Sequence, residues 1–510
     1  MKVQLRDPNT IMKLSRLGSF HQSKLSFLRS FLNEFKDWEY KRDLFNLDRF
    51  GYGEAVYSFK KDKRTYSLVC FANKIKDDER SDRVIATKWD AAFTLHDGVP
   101  TQKDIDRLKN EVPRQEVGRL SFKELTLSRA NKSVRVFNHV VERLSEGKQP
   151  DLELLSNVGY LYRTTAVYGS GKFGLADRFR IKNREEINGP FRLEMMLVYL
   201  VRQFTFDQVN HVAHHKNPSK SVVLDRKICK NLGIGNSTGL GMAPFIVNHP
   251  TLLNNWVMSR EIALKKIREI KIVKKKDSVL FIDCLKKSLT NITSWNTDSE
   301  YQQIKIKNLL KDIKKFIHFI DNNFDFEDEY PFNQIYLWLE EKACEECIEY
   351  VVSIMMEPYN EITNPLVSQM SSEEDKYFTI PTSRTIKDLI NIIEKKYSNI
   401  LKINFEKKQN TQNFWFISKN KEEPRLADRF EEGGSELEQP LAIARDVKKL
   451  HKKLLDTKNN STVAEFLSKN SELRHIVRRV FIVEKFPYSE IQDNTIGKNI
   501  MPIDMLRLKL

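Results

Sequence analysis

Apolar positions along the chain change period several times, and each change predicts an element. Residues 10–48 set Leu25, Leu28, Leu32 and Phe35 at helical spacing, which reads as a helical lead-in. The period then shortens. Ala55-Val-Tyr-Ser-Phe59, a charged turn at Lys60-Lys-Asp-Lys-Arg64, Tyr66-Ser-Leu-Val-Cys-Phe71 and the run from Val84 to Leu95 are rich in β-branched and aromatic residues. Bounded by turn residues, they predict a three-stranded antiparallel meander, opened by the hairpin glycines Gly51 and Gly53.

Helical spacing returns at Thr101-Gln-Lys-Asp104, a suitable N-terminus. A second start is read at Ser121-Phe-Lys-Glu124, a capping box whose hydroxyl and carboxylate satisfy two backbone N–H groups. The helix predicted from it passes Val134, Phe137, Val141 and Leu144 and stops at Gly147. Gly159 to Tyr168 reads as a strand. Pro190 suits the first turn of a helix that runs to His215 and is apolar on nearly every side, so it is expected as the buried central strut. After Pro250, Leu252, Leu253, Trp256 and Val257 resume a helix that ends in the lysine run Lys265 to Lys276, a boundary.

From there to about residue 405 a Lys/Glu/Asn/Ile composition almost without glycine predicts a helical bundle, with one helix spanning Phe332 to Met356. Helices from Pro440 to Leu455 and from Thr462, a strand at Val480 to Val483 and an alternating end at Met505 to Leu510 follow; the last reads as a chain cut short of a natural terminus. The fold class is therefore α+β, mainly helical, with a small antiparallel meander near the amino terminus and a helical second half. Four regions are expected: 1–110, a lead-in plus sheet; 111–270, a helical core with two glycine-rich loops; 271–405, bundle-like; and 406–510, mixed.

Composition narrows the classes. With 510 residues, 40% of them hydrophobic, the chain can bury several cores, which excludes global disorder. Its net charge of +16 attracts polyanions, but the excess is spread over the first 300 residues and is partly a lysine–isoleucine–asparagine bias. Nucleic-acid binding stays as the alternative. Five scattered cysteines point to a reducing compartment, and Cys344-Glu-Glu-Cys347 lacks the second pair that a zinc site needs. The first residues do not resemble a signal peptide, and no apolar run approaches a membrane span, so a soluble, cytoplasmic protein without a membrane partner is expected.

The candidate chemistry centres on Asn231 to Phe245, where Gly233, Gly235, Gly239 and Gly241 are interleaved with Asn236, Ser237 and Thr238. Glycine lets backbone N–H groups converge on an anion without interference from Cβ, and the polar side chains add hydrogen bonds. Gly169-Ser-Gly-Lys-Phe-Gly174 could form a second anion-binding loop through Gly169, Gly171 and Lys172, with Arg163 and Arg178 nearby. It is a literal G-x-G-x-x-G, but Asn188-Gly-Pro190 interrupts the chain where a dinucleotide-binding unit needs continuity, and no His-Arg-Asp or Asp-Phe-Gly supports a kinase.

Asp207, His211 and His215 recur every four residues and share a helix face. No His-Glu-x-x-His accompanies them, so no metal is assigned. Instead His211, His215 or His249 is expected to move a proton beside the bound anion. The leading expectation is an enzyme acting on a phosphate- or carboxylate-bearing small ligand, with the reaction and any cofactor unassigned. Leu175-Ala-Asp-Arg-Phe179 recurs identically as Leu426-Ala-Asp-Arg-Phe430, on flanks that share too little to define a repeat.

Overall fold

The computed structural model describes residues 1–12, 24–25, 38–76, 89–112, 123–133, 135–152, 154–155, 160–167, 184, 186, 190–229, 232–236, 239–240, 250–293, 300–370, 379–405, 439–473, 476–477 and 480–483. The protein is α+β and mainly helical. Its chain divides into a helical unit (1–33, 241–372 and 393–449) and a sheet unit (34–240, 373–392 and 450–510).

The sheet is far larger than a three-stranded meander. Eight strands lie side by side in sequence order: β1 Glu39–Leu47, β2 Gly53–Lys61, β3 Arg64–Ala72, β4 Ala91–Asp97, β5 Glu124–Lys132, β6 Tyr160–Val167, β7 Gly233–Asn236 and β8 Gly239–Leu240. All neighbours are antiparallel except β6 and β7. Two expectations are corrected here. Glu39 to Leu47, expected in the helical lead-in, is an edge strand whose first five residues are exposed, so the apolar alternation that identifies a strand is absent. Glu124, expected in the first turn of a helix, opens β5, and the helix itself is only Val136–Ser145. Leu125, Leu127, Arg129 and Asn131 alternate with Thr126, Ser128 and Ala130, and pairing with β4 and β6 on both sides outweighs a local capping signal.

Both faces of the sheet are covered. Helix α1 (Gln102–Glu111) packs Ile105 and Leu108, with Val112 just beyond it, on Val56, Val69, Phe71 and Ala92. On the other face lie α2 (Val136–Ser145) and the expected strut, α3 (Pro190–Lys216), whose Phe204 meets the Tyr57 and Phe93 rings edge-on. Thr101 caps α1 in a reciprocal box with Asp104, as its sequence predicts. Thr101→Ala is expected to cost about 1 kcal/mol, read as a lower unfolding midpoint in urea. Helix α2 ends before Gly147, which adopts φ +78.

Gly51 and Gly53 turn β1 into β2. Asp48 holds this turn by accepting the N–H groups of Phe50 and Tyr52. A Cβ on Gly53, at φ +143, would stand 2.1 Å from the Asn46 carbonyl oxygen, so only glycine fits.

In the helical unit, α4 (Pro250–Arg268), α5 (Lys275–Thr293), α6 (Glu300–Asn323), α7 (Pro331–Lys342), α8 (Glu345–Met355) and α9 (Asn360–Met370) follow one another. The single helix expected from Phe332 to Met356 is broken at Ala343, in extended conformation, and Cys344, the N-cap of α8. Burial raises the pKa of both Cys344 and Cys347, so they remain thiols, as structural cysteines do.

The amino-terminal segment is tied into this unit by an ion network. Arg6 donates to Glu261 at 2.5 and 2.9 Å and to Glu349 at 2.6 Å, while Arg260 reaches Glu349 and Ser353. Later in the chain, helices Gln439–Leu455 and Val463–Lys469 match the sequence pattern, and Ile482–Val483 pairs in parallel with Thr379–Ile380. The alternating end at Met505 to Leu510 lies outside the described residues. Among the described residues no helix is long and apolar enough to cross a membrane.

Candidate functional site

The glycine-rich stretch is, in its described part, a hairpin. Gly235 pairs with Leu240 and Asn236 with Gly239, so β7 and β8 pair antiparallel. On its other side β7 lies parallel to β6, with Gly233 opposite Tyr160 and Gly235 opposite Arg163. Parallel pairing sends both strands to the same end of the sheet. There the chain leaves β6 two residues before Gly169 and leaves β7 directly before Ser237. Arg163, half-buried on β6, is thus set beside the glycine-rich stretch by strand register. Gly169, Gly171, Lys172, Arg178, Ser237, Thr238, Gly241 and His249 lie outside the described residues, as does each Leu-Ala-Asp-Arg-Phe segment.

Two ion pairs lie at the other end of the sheet from Arg163 and Gly235, where β3 begins and β4 ends. Arg184 makes a two-pronged bond to Asp97, 2.8 Å on each prong. Glu186 accepts the Tyr66 hydroxyl at 2.6 Å and Arg64 at 2.9 Å. Burial alone would raise the Glu186 pKa, but the bonds from Tyr66 and Arg64 outweigh it and hold the carboxyl below its ordinary value.

Helix α3 runs the opposite way. Its Tyr199 lies against Phe59 near the end of β2, its Phe204 against Tyr57, and its Gln208 bonds the Gly51 carbonyl before β2 begins. Since β2, β4, β6 and β7 point one way, the carboxyl end of α3 lies at the amino ends of β6 and β7. Arg163 stands opposite Asn131, which accepts the Asp90 N–H just before β4 begins, and the neighbouring Tyr162 hydroxyl donates to Gln208. The Arg163–Gly235 pair therefore lies toward the same end of the sheet as His211, one helical turn beyond Gln208.

Their bonds are structural. A carbonyl only accepts, so His211 Nε2–H donates to Asp48 at 2.9 Å and His215 Nδ1–H to the His211 carbonyl at 3.0 Å. The His211 ring also meets Phe45 edge-on. Asp207, on the same helix face, accepts Tyr57 at 2.9 Å and Arg42 at 3.2 Å. Burial, followed by the Asp207 charge, raises the Tyr57 pKa, so this phenol stays a donor. Among the described residues no group of three or more His, Cys, Asp or Glu side chains could hold a metal ion.

A second constellation is assembled entirely by strand register. Ser58, Ser67, His96 and Glu124 stand directly opposite one another across β2, β3, β4 and β5. All four are buried, His96 and Glu124 to 1% exposure. They face α1, where Arg107 pairs with Glu124 at 2.7 Å. At the far end Ser58 bonds Asp43. Both acids sit where the register slips: Asp43 falls between paired Arg42 and Leu44, and Leu125 falls between paired Glu124 and Thr126. These bulges turn Asp43 and Glu124 onto the α1 face, as an extra strand residue does. The row escapes sequence reading because its members are far apart in the chain and its end residues depend on the two bulges. The local signal is the polar residues Ser58, Ser67 and His96 in the mostly apolar runs Ala55 to Phe59, Tyr66 to Phe71 and Ala91 to His96.

No family model matches the chain, and no curated protein or solved structure matches it. The functional argument therefore rests on the geometry.

Proposed function

We propose that the protein binds a phosphate- or carboxylate-bearing small ligand where β7 ends beside Arg163 of β6, as an enzyme whose reaction is unassigned. The observation that supports this reading is the parallel register that sets Arg163 beside Gly235. Parallel strands favour ligands at their carboxyl ends, where connecting loops offer backbone N–H groups, and a guanidinium supplies charge and forked donors. The bonds of His211 and His215 to backbone carbonyls give no support to a proton-transfer role for either.

The reading is tested by thermal unfolding of the full chain with inorganic phosphate, pyrophosphate and citrate. A ligand that binds only the folded state raises the midpoint, by about 2.7 kcal/mol of stability at a hundredfold excess over Kd. The expected result is a shift with at least one anion that Arg163→Met abolishes without lowering the ligand-free midpoint by a comparable amount. No shift with any anion, or an equal shift in Arg163→Met, overturns it. Binding to a mixed-sequence oligonucleotide that weakens steeply with salt and survives Arg163→Met would move the reading to the nucleic-acid alternative.

A further inference from the structure

The direction of each hydrogen bond along the polar row beneath α1 can be followed atom by atom. The Asp43 carboxylate only accepts, so the Ser58 hydroxyl gives its one proton to it. The 2.8 Å contact between the Ser58 and Ser67 hydroxyls is therefore donated by Ser67. Ser67 then has only lone pairs to offer its next neighbour in the row, His96.

On His96, Nδ1 faces the Gly98 carbonyl at 3.2 Å and must carry hydrogen. Burial lowers the pKa of this ring, so it is neutral near pH 7 and Nε2 is a bare lone pair. Glu124, opposite His96, accepts Arg107 through Oε1. Its Oε2 and His96 Nε2 are both buried, and neither has a hydrogen-bond partner among the described residues. Acceptors meet here without a donor. Buried polar groups are almost always satisfied, and the missing partner must donate two protons and accept none from either side.

We propose that His96 and Glu124 form an internal binding site for one water molecule, which donates to His96 Nε2 and to Glu124 Oε2. Buried waters of this kind make two to four bonds to groups the chain leaves unpaired. The bridge links His96 to Glu124 and Arg107, beside the separate chain from Ser67 through Ser58 to Asp43, and holds the histidine in its Nδ1–H form. The charged groups facing His96 are Lys123 and Glu124 from β5 and its lead-in, and Asp104 and Arg107 from α1; β3 contributes only the uncharged Ser67. A charged ring would instead donate from Nε2 straight to Glu124 and leave no place for the water.

The test is nitrogen NMR of the full chain labelled at its ten histidines, with the His96 signal assigned by its loss in His96→Gln. Should that variant not fold, the histidine most perturbed by Glu124→Gln identifies the signal. At neutral pH the expected pattern is a neutral ring protonated on Nδ1, with a cross-peak between a long-lived water and the His96 ring. Glu124→Gln sets an amide at the same distance from Nε2, and the water can accept from it while still donating to the ring, so the tautomer and the water peak are both expected to stay. A ring protonated on Nε2, whether neutral or charged, overturns the proposal. So does the absence of a water cross-peak to the His96 ring in the wild-type protein. Because the folded ring holds a proton less readily than the unfolded one, stability contributed by His96 is lost as pH falls below about 6.5, and His96→Gln removes that slope.

Discussion

Replacing Arg6 with methionine is expected to destabilise the helical unit by about 3–5 kcal/mol, the cost of leaving a buried charge without its partner. Arg6 is buried to 8% exposure between Glu261 and Glu349, themselves exposed by 3% and 1%. Glu349 keeps a bond from Arg260 at 3.4 Å, but Glu261 loses its paired cation and carries most of the penalty. The size of the effect can be separated from simple loss of packing. Arg6→Met combined with Glu261→Gln removes the stranded charge and is expected to recover more than half of the loss. Arg6→Lys keeps the charge without the fork and falls between the two. Urea unfolding followed by tryptophan emission reports directly, since the Arg260 guanidinium lies 4.9 Å from the Trp256 ring centre. A single variant within about 1 kcal/mol of wild type would show that the network adds little stability.

Gly53→Ala is expected to cost more than about 3 kcal/mol, because a backbone almost reserved for glycine is combined with a collision. At φ +143 the new Cβ would meet the Asn46 carbonyl oxygen at 2.1 Å, and a backbone oxygen between two paired strands cannot move without unpicking β1. Gly98→Ala is the control. It has a positive φ of +91 but nothing within 4 Å, so only the backbone term of about 1–2 kcal/mol is expected. Equal losses at the two sites would show that strain alone decides, with no part for the close approach to Asn46.

The elements legible in the sequence are those whose burial is one-sided or complete. Helix α3 is apolar around most of its circumference and is found where its pattern places it, from Pro190 onward. Thr101 and Thr462 cap their helices because the box is local, four residues long and needs no tertiary partner. Strands β1 and β5 were hidden for opposite reasons. One has too few apolar residues to show alternation, while the other sits behind a Ser-x-x-Glu spacing that imitates a helix start.

The candidate site was legible in parts and not in arrangement. Helical spacing correctly puts Asp207, His211 and His215 on one face. Which end of the sheet each occupies depends on the direction of α3 across the strands, a property of the whole sheet that no local pattern encodes. Strand register likewise brings together Arg163 with Gly235 and His96 with Glu124, although neither pair is close in the chain.

The glycine-poor edge and the glycine-rich edge of the sheet share a further consequence. An open strand edge is a template on which another chain can add, and long apolar edges invite aggregation. At one side β1 presents Lys41 and Arg42 and then slips register at Asp43, which interrupts any continuous row of backbone donors and acceptors. At the other, the chain folds back after four residues of β7 and, among the described residues, offers only the two of β8. Both edges thus resist growth by different means, one through charge and a kink, the other through brevity. A variant that lengthened β8 or removed the bulge at Asp43 would extend a ladder on which a second copy could begin to pair.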